Sequence, residues 1–237
     1  MDWFPTLELR RLAHEVTTRL QAEYHADTPH RTTDERLPAV DELVLTVLSQ
    51  STNDRNSWRG FEALRARFAS WDAVADAPEG AVEEAIRPCG LSRQKAPRIQ
   101  AMLHRLREEQ GTITLDFLAD LAPDAARDYL MTFRGVGRKT ASCVLLFALD
   151  IPCMPVDTHV LRVGQRLGLL PEGIAADPAH DLLEALLPEE LYFPFHVNII
   201  AHGRHLCQSQ RPRCEACPIL DLCPWGRGRG GREWVTG

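Results

Sequence analysis

Apolar residues recur along most of the chain with the spacing of an α-helix. Between residues 40 and 48 they follow the order i, i+3, i+4, i+7 and i+8, and residues 58–68 repeat this spacing. Residues 140–149 are apolar nearly all round, which predicts a central, buried helix. Ser92 is the predicted N-cap of a helix that carries Ala96, Ile99, Leu103 and Leu106. Further helices are predicted over residues 124–133, 158–168, 179–187 and 192–206.

No strictly alternating run bounded by hairpin signals occurs, so the pattern predicts an all-α fold without a sheet. The chain has 237 residues, of which 44% are hydrophobic and 25% charged, and this composition excludes a wholly disordered protein. The longest apolar run, residues 143–149, is far shorter than the roughly 18 residues of a membrane span. With no signal peptide visible, we expect a cytoplasmic protein, nucleoid-associated if it is prokaryotic, without a membrane partner.

The net charge of −6 taken alone argues against nucleic acid as a partner, but charge is unevenly distributed along the chain. Residues 134–140 contain three basic side chains and no acid. Residues 204–232 contain six arginines against two acids. A basic stripe on an acidic body can bind a phosphate backbone.

Four of the seven cysteines lie within 17 residues, with the spacing C-x6-C-x2-C-x5-C. Clustered thiolates without a secretory signal indicate a metal site rather than disulfides. Both a zinc ion and an iron–sulfur cubane take four thiolates, and the single CxxC favours the cubane over a zinc ribbon. Either centre would hold together a short segment that has little core of its own. The four cysteines are Cys207, Cys214, Cys217 and Cys223.

A glycine-containing turn, residues 133–140, separates two predicted helices. Gly135 and Gly137 flank Val136 and permit a tight turn with positive φ, which can aim successive N–H groups at one anion. Val136 is expected to pin the turn to the core. The P-loop spacing is absent, so a backbone phosphate fits this turn better than a bound nucleotide.

The sequence of this turn, Gly135 to Ala141, resembles the helix–hairpin–helix of the endonuclease III family of DNA glycosylases. The segment Val156-Asp157-Thr158-His159 and the cysteine spacing resemble two more motifs of the same family. Residues 48–52 and 90–96 add two further similarities, so the resemblance covers about residues 40–225. It implies a [4Fe–4S] cluster on the four clustered cysteines.

The resemblance also implies that Lys139 is the nucleophile and Asp157 the carboxylate that activates it. Cleavage of an N-glycosidic bond leaves positive charge on the sugar, which an amine can attack to form a Schiff base. Without the family match, Lys139 would be interpreted as a phosphate contact and Asp157 as a helix N-cap. His159 is expected to be structural.

Damaged bases must leave the helical stack before such groups can reach them. The resemblance assigns gap filling to Gln50 and wedging of the opposite strand to Leu91. The other residues expected to contact DNA are Arg134, Gly135, Val136, Gly137 and Arg138 in the turn, and Arg211 and Arg213 between the first two clustered cysteines.

The family usually has Leu-Pro before Gly-Val-Gly, whereas this chain has Phe133-Arg134. Without proline, the start of the hairpin is expected to be looser, although arginine adds a phosphate-seeking charge. We expect no further domain after residue 237, and this expectation, together with Lys139, argues against the adenine glycosylase branch.

Two helical lobes with a DNA-binding cleft between them are implied by the family. Residues 37–154 would form a six-helix barrel with the hairpin, and residues 1–36 with 155–237 would form the cluster lobe. We expect a monomeric bifunctional glycosylase and abasic-site lyase acting on oxidised pyrimidines in double-stranded DNA. The alternatives are a non-catalytic lesion-binding paralogue, a monofunctional glycosylase that uses Asp157 and water, and a zinc-stabilised DNA-binding module.

Overall fold

A computed structural model describes residues 4–24, 36–78 and 80–228 of the chain. Every regular element in these residues is a helix, which confirms the all-α prediction, and no described helix is long and apolar enough to cross a membrane. The Gly-Arg tail from residue 229, with Arg229 and Arg232, lies outside the described residues. The α-helices are α1 Leu7–Tyr24, α2 Ala39–Ser49, α3 Asp54–Arg67, α4 Trp71–Ala75, α5 Ala81–Ala85, α6 Ser92–Gln110, α7 Pro123–Met131, α8 Arg138–Ala148, α9 Thr158–Leu167, α10 Ala176–Leu186, α11 Tyr192–His205 and α12 Pro224–Arg227.

The chain divides into two compact units. The continuous unit comprises residues 33–151. The split unit joins residues 1–32 to residues 152–237. The family resemblance predicts divisions after residues 36 and 154.

The centre of the continuous unit is formed by α2 and α8, which pack against each other. Residues 39–48 of α2 are all buried, as are residues 140–146 of α8. The prediction of a central, buried helix over residues 140–149 is therefore confirmed. Because α8 begins at Arg138, the helix that follows the glycine turn starts in the core of this unit.

The helical spacing predicted over residues 58–68 is confirmed for Phe61 and Leu64, which are buried, but not for Trp58. Trp58 is 40% exposed and lies edge-on to Phe61, with their ring centroids 5.8 Å apart. The buried face instead runs through Ser57, Gly60, Phe61 and Leu64. Small residues at positions 57 and 60 let this helix approach its neighbours closely, so large apolar side chains alone did not reveal the buried stripe.

Ser92 was also wrongly predicted as a cap. It is the first residue of α6, the N-cap is Leu91, and the side chain of Leu91 makes no capping hydrogen bond. The periodicity gave no prediction for α1, α4 or α5. The latter two have only five residues each, too few to show a helical period.

In the split unit, α11 packs against both α1 and α9. Helix α11 places Phe195, His196, Ile199 and His202 among the buried residues. Helix α9 packs in turn against α10 and the short α12. The 3-10 turns 214–216 and 220–222 connect the clustered cysteines.

Gly60 provides a stability test of the close packing in the continuous unit. A Cβ at this position would lie 2.1 Å from the Cys89 sulfur. Gly60→Ala should therefore lower the free energy of unfolding by about 1–3 kcal/mol through overpacking, although the same change in an open helix raises it by about 1 kcal/mol. Urea denaturation measures the difference. In a Cys89→Ala background the cost of Gly60→Ala should shrink, and an equal cost in both backgrounds would contradict the proposed clash.

Candidate functional site

The glycine turn between α7 and α8 has one left-handed residue. Gly135 has a φ of +87°, whereas Gly137 has a φ of −98° and is the N-cap of α8. The prediction of positive φ therefore holds for Gly135 alone, because an N-cap takes an extended conformation open to any residue. Val136 is buried and donates its N–H to the Phe133 carbonyl at 3.0 Å, so it pins the turn as predicted.

Phe133 fixes the start of the hairpin by packing. Its side chain is buried, and its ring meets that of Tyr129 edge-on at 5.5 Å between centroids. The Arg105 guanidinium lies over the Phe133 ring at 4.8 Å and donates to the Thr132 hydroxyl at 2.8 Å. The next residue, Arg134, is exposed. The aromatic–cation stack thus lies on Phe133, at the position of the family's leucine, directly before Arg134, which stands at the position of the proline.

A second arginine of α6, Arg98, lies against Gly135. A Cβ at Gly135 would be 3.1 Å from an Arg98 guanidinium nitrogen. The positive φ favours glycine at this position, and any other residue would also require the Arg98 side chain to shift by a few tenths of an ångström. No sequence motif pointed to Arg98 or Arg105, because only the packing of α6 against the hairpin brings them there.

Lys139 is the second residue of α8 and is half-buried, and Arg138 before it is half-buried too. No side chain caps the N-terminus of this helix. Its first N–H groups therefore point, with the positive end of the helix dipole, toward the turn that Lys139 follows. The arrangement can hold an anion beside an amine.

Gln50 ends α2, and its side chain reaches the hairpin. The carboxamide donates to the Gly135 carbonyl at 2.9 Å and lies 3.4 Å from the Thr140 hydroxyl. The main-chain carbonyl of Gln50 accepts a hydrogen bond from the buried ammonium of Lys95 at 2.7 Å. The structure therefore brings Gln50 together with the hairpin, a contact that the sequence did not predict.

Leu91 is 50% exposed at the start of α6 and has a φ of +50°. Leucine rarely adopts this conformation. The same Lys95 ammonium donates to the Cys89 carbonyl, two residues before Leu91, at 2.9 Å. Both residues assigned to insertion into DNA thus lie beside carbonyls held by one lysine.

Asp157, in the split unit, is the N-cap of α9. Its Oδ1 accepts hydrogen bonds from the N–H groups of His159 at 2.8 Å and Val160 at 2.7 Å. Both capping bonds end on one oxygen, so Oδ2 is not used by the cap. The interpretation of Asp157 as a helix cap is therefore correct, and it leaves a carboxylate oxygen for other chemistry.

His159 is a structural residue in this unit. Its Nδ1 lies 3.0 Å from an Arg162 guanidinium nitrogen, and burial lowers the pKa of the imidazole. Arg162 in turn donates to the carbonyls of Gly203 at 3.0 Å and Cys207 at 3.1 Å. Helix α9 therefore connects Asp157 at its start with the first clustered cysteine.

Two buried histidines hold the segment that leads to Asp157. The Nδ1 atoms of His180 and His196 lie 2.7 Å from the Met154 carbonyl and 2.9 Å from the Pro155 carbonyl. Each imidazole therefore carries a proton on Nδ1. These residues were missed because a lone histidine in an apolar stretch gives no signal of its partner.

The four clustered cysteines line one pocket. Burial raises the pKa of Cys217 to about 11, and the nearby cysteine charges add to the rise. Thiols this close together need a cation to exist as thiolates, so the donor set fits a thiolate-ligated metal centre. Within the described residues, no group of three or more His, Cys, Asp or Glu side chains already converges on one metal position. Cys89, Cys143 and Cys153 are buried and do not line this pocket.

Arg166 joins the cysteine pocket to the loop that follows Cys207. Its guanidinium lies 3.2 Å from the Cys207 sulfur, donates to the Gln208 and Ser209 carbonyls at 2.8 Å, and stacks on Trp225 at 4.0 Å. No sequence motif pointed to Arg166, because its partners lie on a distant loop. Arg166 shows how the loop before Cys214 is held in place.

Arg211 and Arg213 are exposed on that loop. Arg213 donates to the His205 carbonyl at 2.6 Å, so part of its guanidinium supports the loop itself. The predicted phosphate contacts therefore differ in their surroundings. Lys139, Gln50, Leu91 and the hairpin belong to the continuous unit, whereas Asp157, the cysteines and these arginines belong to the split unit.

Residues 44–189 match the HhH-GPD superfamily base excision DNA repair protein family. A candidate DNA glycosylase of Arabidopsis thaliana is 37% identical to this chain. The match covers 80% of this chain and 64% of that protein. Endonuclease III of Thermotoga maritima is 32% identical over 95% of this chain and 96% of its own length. The fold is similar to that of endonuclease III trapped covalently on DNA, with a TM-score of 0.75, 29% identity, and coverage of 93% of this chain and 98% of that chain.

The capping bonds of Asp157 give a test that separates its structural role from its chemistry. Asparagine caps helices as well as aspartate does, whereas alanine cannot, so Asp157→Ala should lower the free energy of unfolding by about 1 kcal/mol and Asp157→Asn by a few tenths. Thermal or urea unfolding measures both. Equal losses for the two variants would show that the cap observed here does not stabilise α9.

Proposed function

The chain belongs to the HhH-GPD superfamily of base excision DNA repair proteins and, within it, to the endonuclease III family, and from this membership we propose its reaction. The protein is a bifunctional DNA glycosylase and abasic-site lyase that removes oxidised pyrimidines from double-stranded DNA. The observation that carries the proposal is the position of half-buried Lys139 in the first turn of α8, directly after an uncapped hairpin turn. A phosphate bound by the turn would bring the sugar of the damaged nucleotide toward the amine.

In this reaction the bond between the base and C1′ of the sugar breaks, and the base leaves with the bonding electrons and takes up a proton. The neutral Lys139 amine forms a new bond to C1′. One of its two protons passes to the ring oxygen O4′, and the C1′–O4′ bond breaks to leave an iminium ion that keeps the other proton. Loss of a proton from C2′ then expels the 3′ phosphate and cuts the strand. The relative trapped covalently on DNA supports this assignment.

Lys139 must lose a proton before it can attack. A lysine with the ordinary pKa of 10.4 is neutral in about 0.04% of molecules at pH 7, so a base must assist it or its surroundings must lower its pKa. We assign this role to Asp157, which also stabilises positive charge on the sugar. Its Oδ2 suits the role, since both capping bonds end on Oδ1.

Binding to DNA begins with the phosphate backbone. The uncapped N–H groups at the start of α8, with Arg134 and Arg138, would bind phosphates of one strand. Arg211 and Arg213 would add contacts from the loop before Cys214. Gln50 would fill the space left by the extruded base, and Leu91 would wedge the opposite strand.

We assign a [4Fe–4S] cluster to the pocket lined by Cys207, Cys214, Cys217 and Cys223. When bound, the cluster cross-links four points of a segment that has only short helices, and so fixes the loop that carries Arg211 and Arg213. Arg166 supports this assignment, because a guanidinium beside the Cys207 sulfur stabilises a thiolate there.

Borohydride trapping tests the reaction on a duplex with one oxidised pyrimidine and on a matched abasic-site duplex. Reduction of the iminium ion should leave protein covalently attached to both, and Lys139→Gln should remove the adduct while duplex binding persists. An adduct on the abasic duplex alone would move the base preference elsewhere. No adduct on either, from folded protein that binds the duplex, would favour a lesion-binding paralogue.

The cluster assignment predicts a brown protein whose iron and visible absorbance disappear together when Cys214 or Cys217 is replaced by serine. The midpoint of thermal unfolding of the split unit should fall with them, because metal binding is coupled to folding. Iron and zinc analysis of the purified protein with its absorbance spectrum makes the measurement. A colourless protein with one equivalent of zinc would contradict the cubane and favour the zinc-stabilised module.

A further inference from the structure

We propose that Lys95 is a positioning residue which fixes the two DNA-inserting residues, Gln50 and Leu91, in one rigid arrangement. This inference rests on the proposed function, since insertion has a purpose only if a base is extruded. Lys95 would not touch DNA. It would act through the main chain of the two loops that present Gln50 and Leu91.

The Lys95 side chain is only 1% exposed, although it begins in the first turn of α6. Its ammonium lies 2.8 Å from the Leu48 carbonyl, 2.7 Å from the Gln50 carbonyl and 2.9 Å from the Cys89 carbonyl. A protonated lysine has three N–H donors, and here each has one main-chain acceptor. One side chain therefore joins the end of α2 to the loop before α6.

The carbonyls held by Lys95 lie beside two residues whose backbone conformation is unfavourable. Ser51, which follows Gln50, has a φ of +54°, and Leu91 has a φ of +50°. Only one other residue among the described non-glycine positions, Asp150, has a positive φ. Such residues persist where the surrounding structure determines their conformation. The Lys95 hydrogen bonds supply that determination at both loops at once.

Burial opposes the charge on Lys95 and lowers its pKa. A neutral amine would have two N–H donors for three carbonyls, so the geometry matches the charged form. A buried charge satisfied by three carbonyls is costly to break, because each carbonyl would lose its partner. The two loops therefore cannot move apart independently while the lysine remains in place.

The Lys95 contacts should affect one step of the reaction, extrusion of the base, more than the others. Extruding a paired, stacked base has an energetic cost, and side chains that fill the gap and wedge the duplex offset it. An abasic nucleotide has no base to unstack. Loss of the Lys95 contacts should therefore slow release of a paired damaged base much more than it slows cleavage at an abasic site.

The test compares two single-turnover rate constants, base release from an oxidised-pyrimidine duplex and strand cleavage of an abasic duplex, both with excess enzyme. Lys95→Met keeps the apolar stem and removes the donors. We expect base release to fall about tenfold or more, with abasic cleavage within about threefold of wild type. A ratio measured on one preparation does not depend on the fraction of folded protein.

Gln100 provides a matched control on the same helix. Its amide nitrogen lies within 3.2 Å of three carbonyls, those of Val74, Ala75 and Ala77, at the end of α4. Gln100→Met should destabilise the protein in a similar way and leave the ratio of the two rate constants unchanged. A Lys95→Met ratio that also stays at the wild-type value would overturn the proposal.

Two further variants keep the proposal testable if Lys95→Met folds poorly. Lys95→Gln keeps donors for some of the three carbonyls. It should shift the ratio of base release to abasic cleavage in the same direction as Lys95→Met, but by less. Ser51→Gly in the Lys95→Met background should restore part of the base release, because glycine adopts the positive φ without steric cost. Failure of both effects would contradict the proposal. Wild-type protein that does not cleave the abasic duplex would instead contradict the proposed function.

Discussion

The candidate functional loops depend on one constraint: their main-chain carbonyl groups are not hydrogen-bonded within a helix and need donors from elsewhere. A buried carbonyl without a donor costs free energy, so each such loop needs a side chain that supplies one. In the continuous unit Lys95 supplies three hydrogen bonds to the loops of Gln50 and Leu91. In the split unit Arg162 and Arg166 supply donors to the carbonyls of residues 203 and 207–209.

The donors are long, cationic side chains that emerge from helices and end on loops. A helix fixes the Cα position of Lys95 or Arg166, while the flexible stem spans the distance to the loop. The loops can then present exposed residues such as Leu91 and Arg211 while their main chain is held from below. Rigid support of this kind is what a site needs if it is to insert side chains into a duplex at a defined place.

Asp157 and Phe133 show how one residue can serve structure and chemistry together. Asp157 uses one carboxylate oxygen to cap α9 and keeps the other for the proposed proton transfer. Phe133 stands at the position of the leucine that the family usually has before the glycine turn, and it is buried with the Arg105 guanidinium over its ring. Arg134, at the position of the family's proline, is exposed and adds positive charge beside the turn.

The sequence by itself determined the helical class, the central position of α8, the burial of Val136 and the location of the family motifs. These properties follow from local periodicity and spacing, which do not depend on distant residues. Only the tertiary structure decided the register of α3, the left-handed Leu91 where a serine cap was predicted, and the partners of Lys95, Arg98 and Arg166. Those partners lie on other elements, and a long side chain reveals nothing in sequence about which carbonyl, ring or sulfur it will reach.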